Sequence, residues 1–401
     1  MPVSEGNRKP CLGWGKGSRA MLNWVELDRS ALRHNLSQFR GRIGTRVLLG
    51  AVVKSNAYGH GILEVGREAL AGGAQWLCVN GIEEGCQLRD AGIEVPIIVL
   101  GYVALADMEE LVRRDLRTIV YREESLDALA AAARAQGRRV RIHIKLETGT
   151  NRQGVLLQDL PGFLSKIQKR AELVLEGVST HFANIEDTTD HRFAEGQLQR
   201  FLQLSAMAGE RMEDGARLLR HAACSAAVLL FPETHFEMVR LGISLYGVWP
   251  SRETLVSCKE QGAPILNLSP VLSWKTRIGQ IKMVPEGEYI GYGCTFRATR
   301  PTRIGVLPVG YYEGYDRRLS GQAYVLVHGR RAQIRGRICM NMCMVDLTDI
   351  PGVEPEDEVV LIGRQGDEYL GADQLAAWCG TIPYEILTGI YPGLPRVWVG
   401  G

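Results

Sequence analysis

The segment VLLGAVVK (47–54), followed by GILEVGREALAGG (61–73), decides the fold. The first run is short and apolar at nearly every position, as a strand covered on both faces must be. The second carries its apolar residues at helical spacing. Together they form one β/α unit, and the unit recurs. WLCVN (76–80) precedes GIEEGCQLRDAG, PIIVLG (96–101) precedes LADMEELVRRD, and RTIVY (117–121) precedes ESLDALAAAARAQG. RVRIHIKLET (139–148), LVLEGVSTHFA (173–183), RLLRHAACS (217–225) and FEMVRLG (236–242) complete the series. Eight strands with helical segments between them predict a closed α/β fold, a (β/α)8 TIM-type barrel of parallel strands, rather than an open sheet.

Outward from this core the texture changes. Beyond about residue 262 the chain becomes SWKTRIGQIKMV, TRIGVLPVG, AYVLVHG, RRAQIRGRICM and DEVVLIG, short strand-like runs broken by turns such as PEGE and HGR. Helical pattern returns only in ADQLAAWCG and TIPYEILTGI. The predicted division is an extension over 1–21 that reads as disordered, a barrel over 22–262, and a mainly β carboxy-terminal domain over 263–401. Within 22–40 a strand leads into a helix that Asp28 is placed to cap.

Composition narrows the partners. With Lys+Arg 47 against Asp+Glu 45, the net charge of +2 lacks the basic surplus that nucleic acid demands. No apolar run reaches the ~20 residues that span a bilayer, and residues 1–20 lack the apolar stretch of a signal peptide. Neither nucleic acid nor membrane is an expected partner, and a cytoplasmic location is. The nine cysteines, odd in number and mostly inside apolar segments, read as reduced thiols. Cys339 and Cys343 have no matching CxxC or His pair nearby, so no metal site is expected.

Barrel proteins place chemistry at the carboxyl ends of their strands. Lys54 closes the first strand. Arg152 follows the fifth, His181 the sixth and Ser225 the seventh, and Arg240 lies in the eighth beside Gly242. A lysine closing an apolar strand is uncommon, because burying an unpaired ammonium is costly, and such an amine can form a Schiff base. Ser225 with the backbone at Gly242 and Ile243 offers a phosphate site next to the last two strands. A reactive lysine beside a phosphate site suggests pyridoxal phosphate. A barrel for phosphorylated sugars with a catalytic lysine is the alternative on these residues alone.

AVVKSNAYGHG resembles the cofactor-lysine signature of bacterial alanine racemases. WVELDRSALRHNL, LETGTNRQGV, STHFAN, MVRLGISLYG, IGYGCTFRA, LPVGYYEGY, GRICMNMCMVD and TIPYEIL resemble further segments of that family, in the family's order, from about residue 22 to 399. The resemblance implies a pyridoxal 5′-phosphate barrel with a β domain, acting as a homodimer with shared sites. It implies interconversion of L- and D-alanine by two-base α-proton transfer, supplying D-alanine for peptidoglycan.

It also implies roles. Lys54 corresponds to the lysine that holds the cofactor and acts on the D-enantiomer. Tyr292 corresponds to the partner-subunit tyrosine acting on the L-enantiomer. Arg240 corresponds to the partner of the pyridine nitrogen, and His181 to a histidine linking Arg240 with Tyr292. Tyr58, Ser225, Gly242, Ile243 and Tyr384 correspond to the phosphate set. Arg152, Met340 and Tyr311 correspond to substrate-binding residues, and Lys145 to a lysine carbamylated in some members. Glu186, Arg337, Ile382 and Arg317 or Arg318 match a substrate corridor. Asn341 departs from the family's common Asp, which opens the question of substrates beyond alanine. The rivals are a broader racemase acting, for example, on serine, a non-catalytic carrier of the cofactor lacking the β domain, and a decarboxylase of the same barrel type.

Overall fold

The structure, a computed structural model, describes residues 21–211 and 217–401. The extension expected over 1–21 lies, apart from Met21, outside the described residues.

The first strand, β1 (Asn23–Asp28), feeds the helix Arg29–Ile43, whose first turn is capped by the Asp28 carboxylate accepting from the Ala31 amide at 3.0 Å. The barrel strands follow: β2 (Leu48–Val52), β3 (Trp76–Val79), β4 (Ile97–Val99), β5 (Arg117–Val120), β6 (Val140–Lys145), β7 (Leu173–Ser179), β8 (Leu219–His221) and β9 (Met238–Leu241). Their spatial order is β8-β7-β6-β5-β4-β3-β2-β9, all pairs parallel. Every residue of β3, β4, β5 and β9 is buried, which accounts for the continuous apolar runs. The helices cover the outside with one stripe each. Arg192–Gly209, for example, buries Ala194, Leu198, Phe201, Leu204 and Ala208.

The ring is not zipped all the way round. Among the described residues no ladder joins β8 to β9. The seam is bridged just past β8, where the Arg240 amide donates to the Ala223 carbonyl at 3.0 Å. Several strands are shorter than the sequence suggests. Chain 217–225 is strand only over β8, after which Ser225 opens a helix, and β2 stops two residues before Lys54.

The second domain holds β10 (Leu272–Arg277), β11 (Gln280–Val284), β12 (Tyr289–Ile290), β13 (Phe296–Arg297), β14 (Thr302–Leu307), β15 (Tyr324–Val327), β16 (Arg330–Gln333), β17 (Cys343–Asp346), β18 (Glu358–Gln365), β19 (Glu368–Leu370) and β20 (Arg396–Val399). Its main sheet runs β16-β15-β18-β10-β1-β20, with β19 beside β18, and β11-β14-β17 form a second sheet. SWKTRIGQIKMV, one run in sequence, breaks at Ile278–Gly279 so that its halves serve different sheets. RRAQIRGRICM stops being strand at β16. Gly336 then turns with φ +70°, where a Cβ would sit 2.4 Å from the Ile290 carbonyl oxygen.

One boundary needs correcting. The barrel domain was expected over 22–262, but β1 lies in the second domain's sheet, antiparallel to β10 and parallel to β20. The chain starts in the β domain, leaves to build the barrel and returns. The helices Ala372–Cys379 and Pro383–Thr388 appear where expected, and the second of them packs against the barrel mouth. Among the described residues no helix is long and apolar enough to cross a membrane.

A fragment ending at residue 262 loses both hydrogen-bonding partners of β1 and uncovers Val25 and Leu27, which are fully buried in the whole chain. Such a fragment is expected to aggregate or unfold without a cooperative transition. A soluble fragment with a single sharp urea transition would contradict the shared sheet.

Candidate active site

Lys54 does not end a strand; it opens a left-handed turn. Ser55, Asn56, Ala57 and Tyr58 all have φ between +52° and +55°, a conformation that costs non-glycine residues roughly 1–2 kcal/mol each. The surroundings hold this turn. Glu84 clamps it at the front, accepting from the Ser55 amide at 2.5 Å and from the Asn80 amide at 2.7 Å. The Asn56 side chain accepts from the Ile62 amide at 3.0 Å. Arg396, from β20, donates to the Gly59 carbonyl at 2.9 and 3.1 Å. Gly59 itself has φ +84° and passes so close to the Pro383–Thr388 helix that a Cβ would lie 2.1 Å from the Leu387 carbonyl oxygen. The turn is therefore held from both sides, by Glu84 and Asn56 within the barrel and by Arg396 and the Leu387 backbone of the carboxy-terminal domain.

The Lys54 side chain enters a cavity of about 850 Å3 at the carboxyl ends of the barrel strands. Tyr58, Lys145, Arg152, His181, Ser225, Arg240, Gly242, Ile243, Tyr384 and Glu186 line the same space. The structure thus brings together all the barrel residues singled out in the sequence, with Tyr384 from the second domain. Burial, then the charge of Arg152, lowers the Lys54 amine below the ordinary lysine value, with Glu84 opposing and Arg240 adding to the shift. The Lys145 amine is pushed well below the ordinary lysine value, by burial and then by Arg240 and Arg152.

One wall is shaped for an anion. Ser225 Oγ accepts from the Gly242 amide at 3.0 Å and the Ser244 amide at 3.3 Å, leaving its own proton to donate elsewhere. A Cβ on Gly242 would stand 2.9 Å from the Tyr58 hydroxyl and 3.6 Å from Ser225 Oγ, so only glycine leaves this space open. Burial, and next the Glu186 carboxylate, raise the Tyr58 pKa and keep that phenol protonated as a donor. Glu186, its own pKa raised by burial, accepts from the Tyr384 hydroxyl at 2.9 Å.

Arg240 forms the floor. Its Nη1 donates to His221 Nδ1 at 2.7 Å and to the His221 carbonyl, and its Nη2 to the carbonyls of Thr180 (2.8 Å) and Ala222 (3.2 Å). The imidazole bonded to Arg240 is therefore that of His221, which was passed over in HAACS in favour of Ser225. His181, expected to make the link, lines the same cavity, where burial, then Lys145 and Arg240, push its pKa well below the ordinary histidine value. HAACS contains the signal, a histidine four residues before Ser225, but only the fold shows where it points.

Three residues do not join this cavity within one chain. Tyr292 is 73% exposed, on a turn whose flanking glycines both have positive φ. A Cβ at Gly291 would meet Met344 Cε at 2.7 Å, and one at Gly293 would meet Arg337 Nη1 at 2.7 Å, so the IGYG pattern thrusts the phenol outward. Tyr311 and Met340 are likewise exposed. Asn341 donates to Glu313 Oε1 at 2.7 Å, where an aspartate would repel that carboxylate; its amide is therefore engaged within the chain. Of the corridor positions, Arg337, Ile382, Arg317 and Arg318 lie outside the cavity and Glu186 lies within it.

An α/β barrel whose mouth sets a reactive amine among cations, beside a glycine-opened anion cradle, defines an enzyme-like site for an anionic ligand. Comparison with known proteins narrows that class. Residues 27–250 match the family model "Alanine racemase, N-terminal domain" and residues 271–398 match "Alanine racemase, C-terminal domain". The chain is 40% identical over 377 residues to the alanine racemase of Leptospira interrogans, covering 94% of this chain and 95% of the relative. It is 41% identical to that of Halothermothrix orenii, covering 93% and 96%. Among solved structures, alanine racemase from Streptomyces lavendulae superposes with a TM-score of 0.87 at 34% identity, covering 96% and 98%. The Bacillus anthracis enzyme with bound L-Ala-P gives 0.87 at 35% identity, covering 96% of each chain. The chain belongs to the alanine racemase family.

Gly242→Ala is expected to weaken binding of inorganic phosphate or a phosphorylated ligand at least about tenfold, or ~1.4 kcal/mol, with little change in melting temperature. Calorimetric titration at fixed ionic strength checks this; unchanged affinity would mean that the cradle lies elsewhere.

Proposed function

We propose that this protein interconverts L-alanine and D-alanine using pyridoxal 5′-phosphate held in the cavity around Lys54. The observation that carries the proposal is the meeting, in one cavity, of the depressed Lys54 amine, the Gly242 cradle and the buried Arg240 donor. These residues fit the group. The amine suits its aldehyde, the Tyr58 and Ser225 hydroxyls suit its phosphate, and Arg240 suits its ring nitrogen. When bound, the cofactor supplies an aldehyde that joins the substrate amine and a π-system that withdraws electrons from the α-carbon.

The chain's own residues do the rest. Lys54 Nζ would hold the cofactor's aldehyde, and the same amine is placed to take or return the substrate α-proton on one face. Its lowered pKa increases the free-base fraction at neutral pH. Racemisation needs a second proton carrier on the opposite face, and Tyr292 Oη is the assigned group. Because Tyr292 lies outside its own chain's cavity, a second copy supplies it, so the working unit is a homodimer. Tyr311 and Met340 of that copy line the substrate side, and Arg152 meets the substrate carboxylate. Arg240 donates a hydrogen bond but keeps its proton, so it leaves its partner nitrogen unprotonated and restrains side reactions such as transamination.

The lowered Lys145 pKa favours the uncharged amine, the form that adds carbon dioxide, with Nζ–H and CO2 giving Nζ–CO2− and a released proton. An intact mass lacking the adduct would reject carbamylation. The reading extends to supply of D-alanine for peptidoglycan in the cytoplasm. All eight described cysteines are unpaired thiols, as a reducing compartment keeps them.

Lys54→Ala is expected to abolish the visible absorbance of bound cofactor and lower racemisation by at least about 10²–10⁴-fold. Tyr292→Phe should keep the absorbance but slow turnover by a similar order. Racemisation followed by circular dichroism, beside the absorption spectrum, reads both; a fully active Lys54→Ala variant would refute the assignment. The kcat for D-alanine should rise with pH as the Lys54 amine, free once substrate is bound, deprotonates, with its midpoint below the ~10.4 of ordinary lysine. Activity should fall on dilution as the dimer dissociates; activity proportional to a monomer population at every concentration would exclude the shared site.

A further inference from the structure

Behind Arg240 the hydrogen bonds do not stop at His221. His221 Nε2 lies 2.8 Å from Nδ1 of His143, and His143 Nε2 lies 3.1 Å from Glu176 Oε2. Both imidazoles are fully buried, and they cross edge to face at 73° with centroids 4.9 Å apart. Glu176 also meets Arg117 Nε at 3.5 Å and Arg141 Nε at 3.6 Å.

Two backbone features make this contact possible. His143 stands on β6 and His221 on β8, so their bond has to pass over β7. The β7 residue between them is Gly177, where a Cβ would lie 2.5 Å from His143 Nδ1. In addition, the β6–β7 register shifts at this point. Ile142 faces Leu175 and His143 faces Gly177, which leaves Glu176 without a partner on β6. A bulge of this kind re-aims a side chain, and here Glu176 reaches His143.

Donor logic then orders the whole chain. Arginine only donates, so His221 Nδ1 is bare and its proton sits on Nε2. That N–H points at His143 Nδ1, which must be bare in turn. The His143 proton therefore sits on Nε2 and goes to the Glu176 carboxylate, which only accepts. A proton on His143 Nδ1 would face the His221 N–H and break the sequence. We propose that His143 and Glu176 are positioning residues for Arg240, linked to it in a one-way chain Glu176–His143–His221–Arg240 that fixes both rings in the Nε2–H form and anchors the guanidinium at the cavity floor. Burial lowers the pKa of both histidines and keeps the rings neutral, as the chain requires.

This inference deepens the function proposed above and rests on it for its kinetic part. Nitrogen-15 spectra of the histidine-labelled protein, taken before any cofactor is added and assigned with single His→Gln variants, read the tautomers directly. Both His143 and His221 should be Nε2–H; an Nδ1–H or doubly protonated ring at either position overturns the chain. After loading with pyridoxal phosphate, Glu176→Gln and Gly177→Ala should shift the visible spectrum and lower kcat roughly tenfold, about the effect of weakening one hydrogen bond to a charged group, with KM within about twofold. His143→Phe should do the same, whereas His143→Gln, which both accepts and donates, should recover most of the rate. Folded Glu176→Gln and His143→Phe proteins with parental spectra and kinetics would overturn the positioning role. If the parent takes up no pyridoxal phosphate, the functional reading fails, and the tautomer measurement still decides the chain.

Discussion

The mouth of this barrel depends on one buried cation. Arg240 occupies the seam where β8 meets β9, and its guanidinium is met by the carbonyls of Thr180, His221 and Ala222 and by a neutral imidazole. Burying a charge costs on the order of several kcal/mol unless its polar groups are fully engaged. Here backbone dipoles and a ring nitrogen engage them, and among the described residues no carboxylate is paired with the guanidinium. Its positive charge is therefore left uncancelled at the cavity floor. That charge lowers the pKa of the Lys145 amine and adds to the lowering at Lys54.

The second dependence is mechanical. Four successive residues after Lys54 are held left-handed without a glycine among them. What keeps them there comes from both ends of the molecule, Glu84 within the barrel and Arg396 and the Leu387 backbone from the second domain. Because β1 also belongs to the second domain's sheet, the two domains are woven together rather than strung in series.

The eight barrel strands were legible because burial on both faces leaves an unmistakable apolar run. The membership of β1 was not, since WVELD alternates in the same way whichever sheet it joins, and its partners are distant in sequence. The left-handed turn was hidden because in SNAY only the asparagine takes positive φ readily; contacts made elsewhere hold the other three residues there. In the site, Lys54, Ser225 and Arg240 could be placed from strand ends alone. Tyr292, Tyr311 and Met340 were legible only through family resemblance, as they share no cavity with Lys54 within one chain. His221 and His143 escaped notice because a histidine inside an apolar strand gives no hint of its direction, and the meaning of Gly177 depends on which rings flank it. The unusual Asn341 has a local explanation in the carboxylate of Glu313.

Arg396 grips the Gly59 carbonyl from the last strand of the chain. Translation proceeds from the amino terminus, so the eight-stranded ring emerges from the ribosome well before the residue that clamps the bend behind Lys54. A nascent barrel therefore lacks the Arg396 donors until β20 has joined β1 in the second domain's sheet. The bend behind Lys54 is thus finished late in synthesis, by a side chain 337 residues further along.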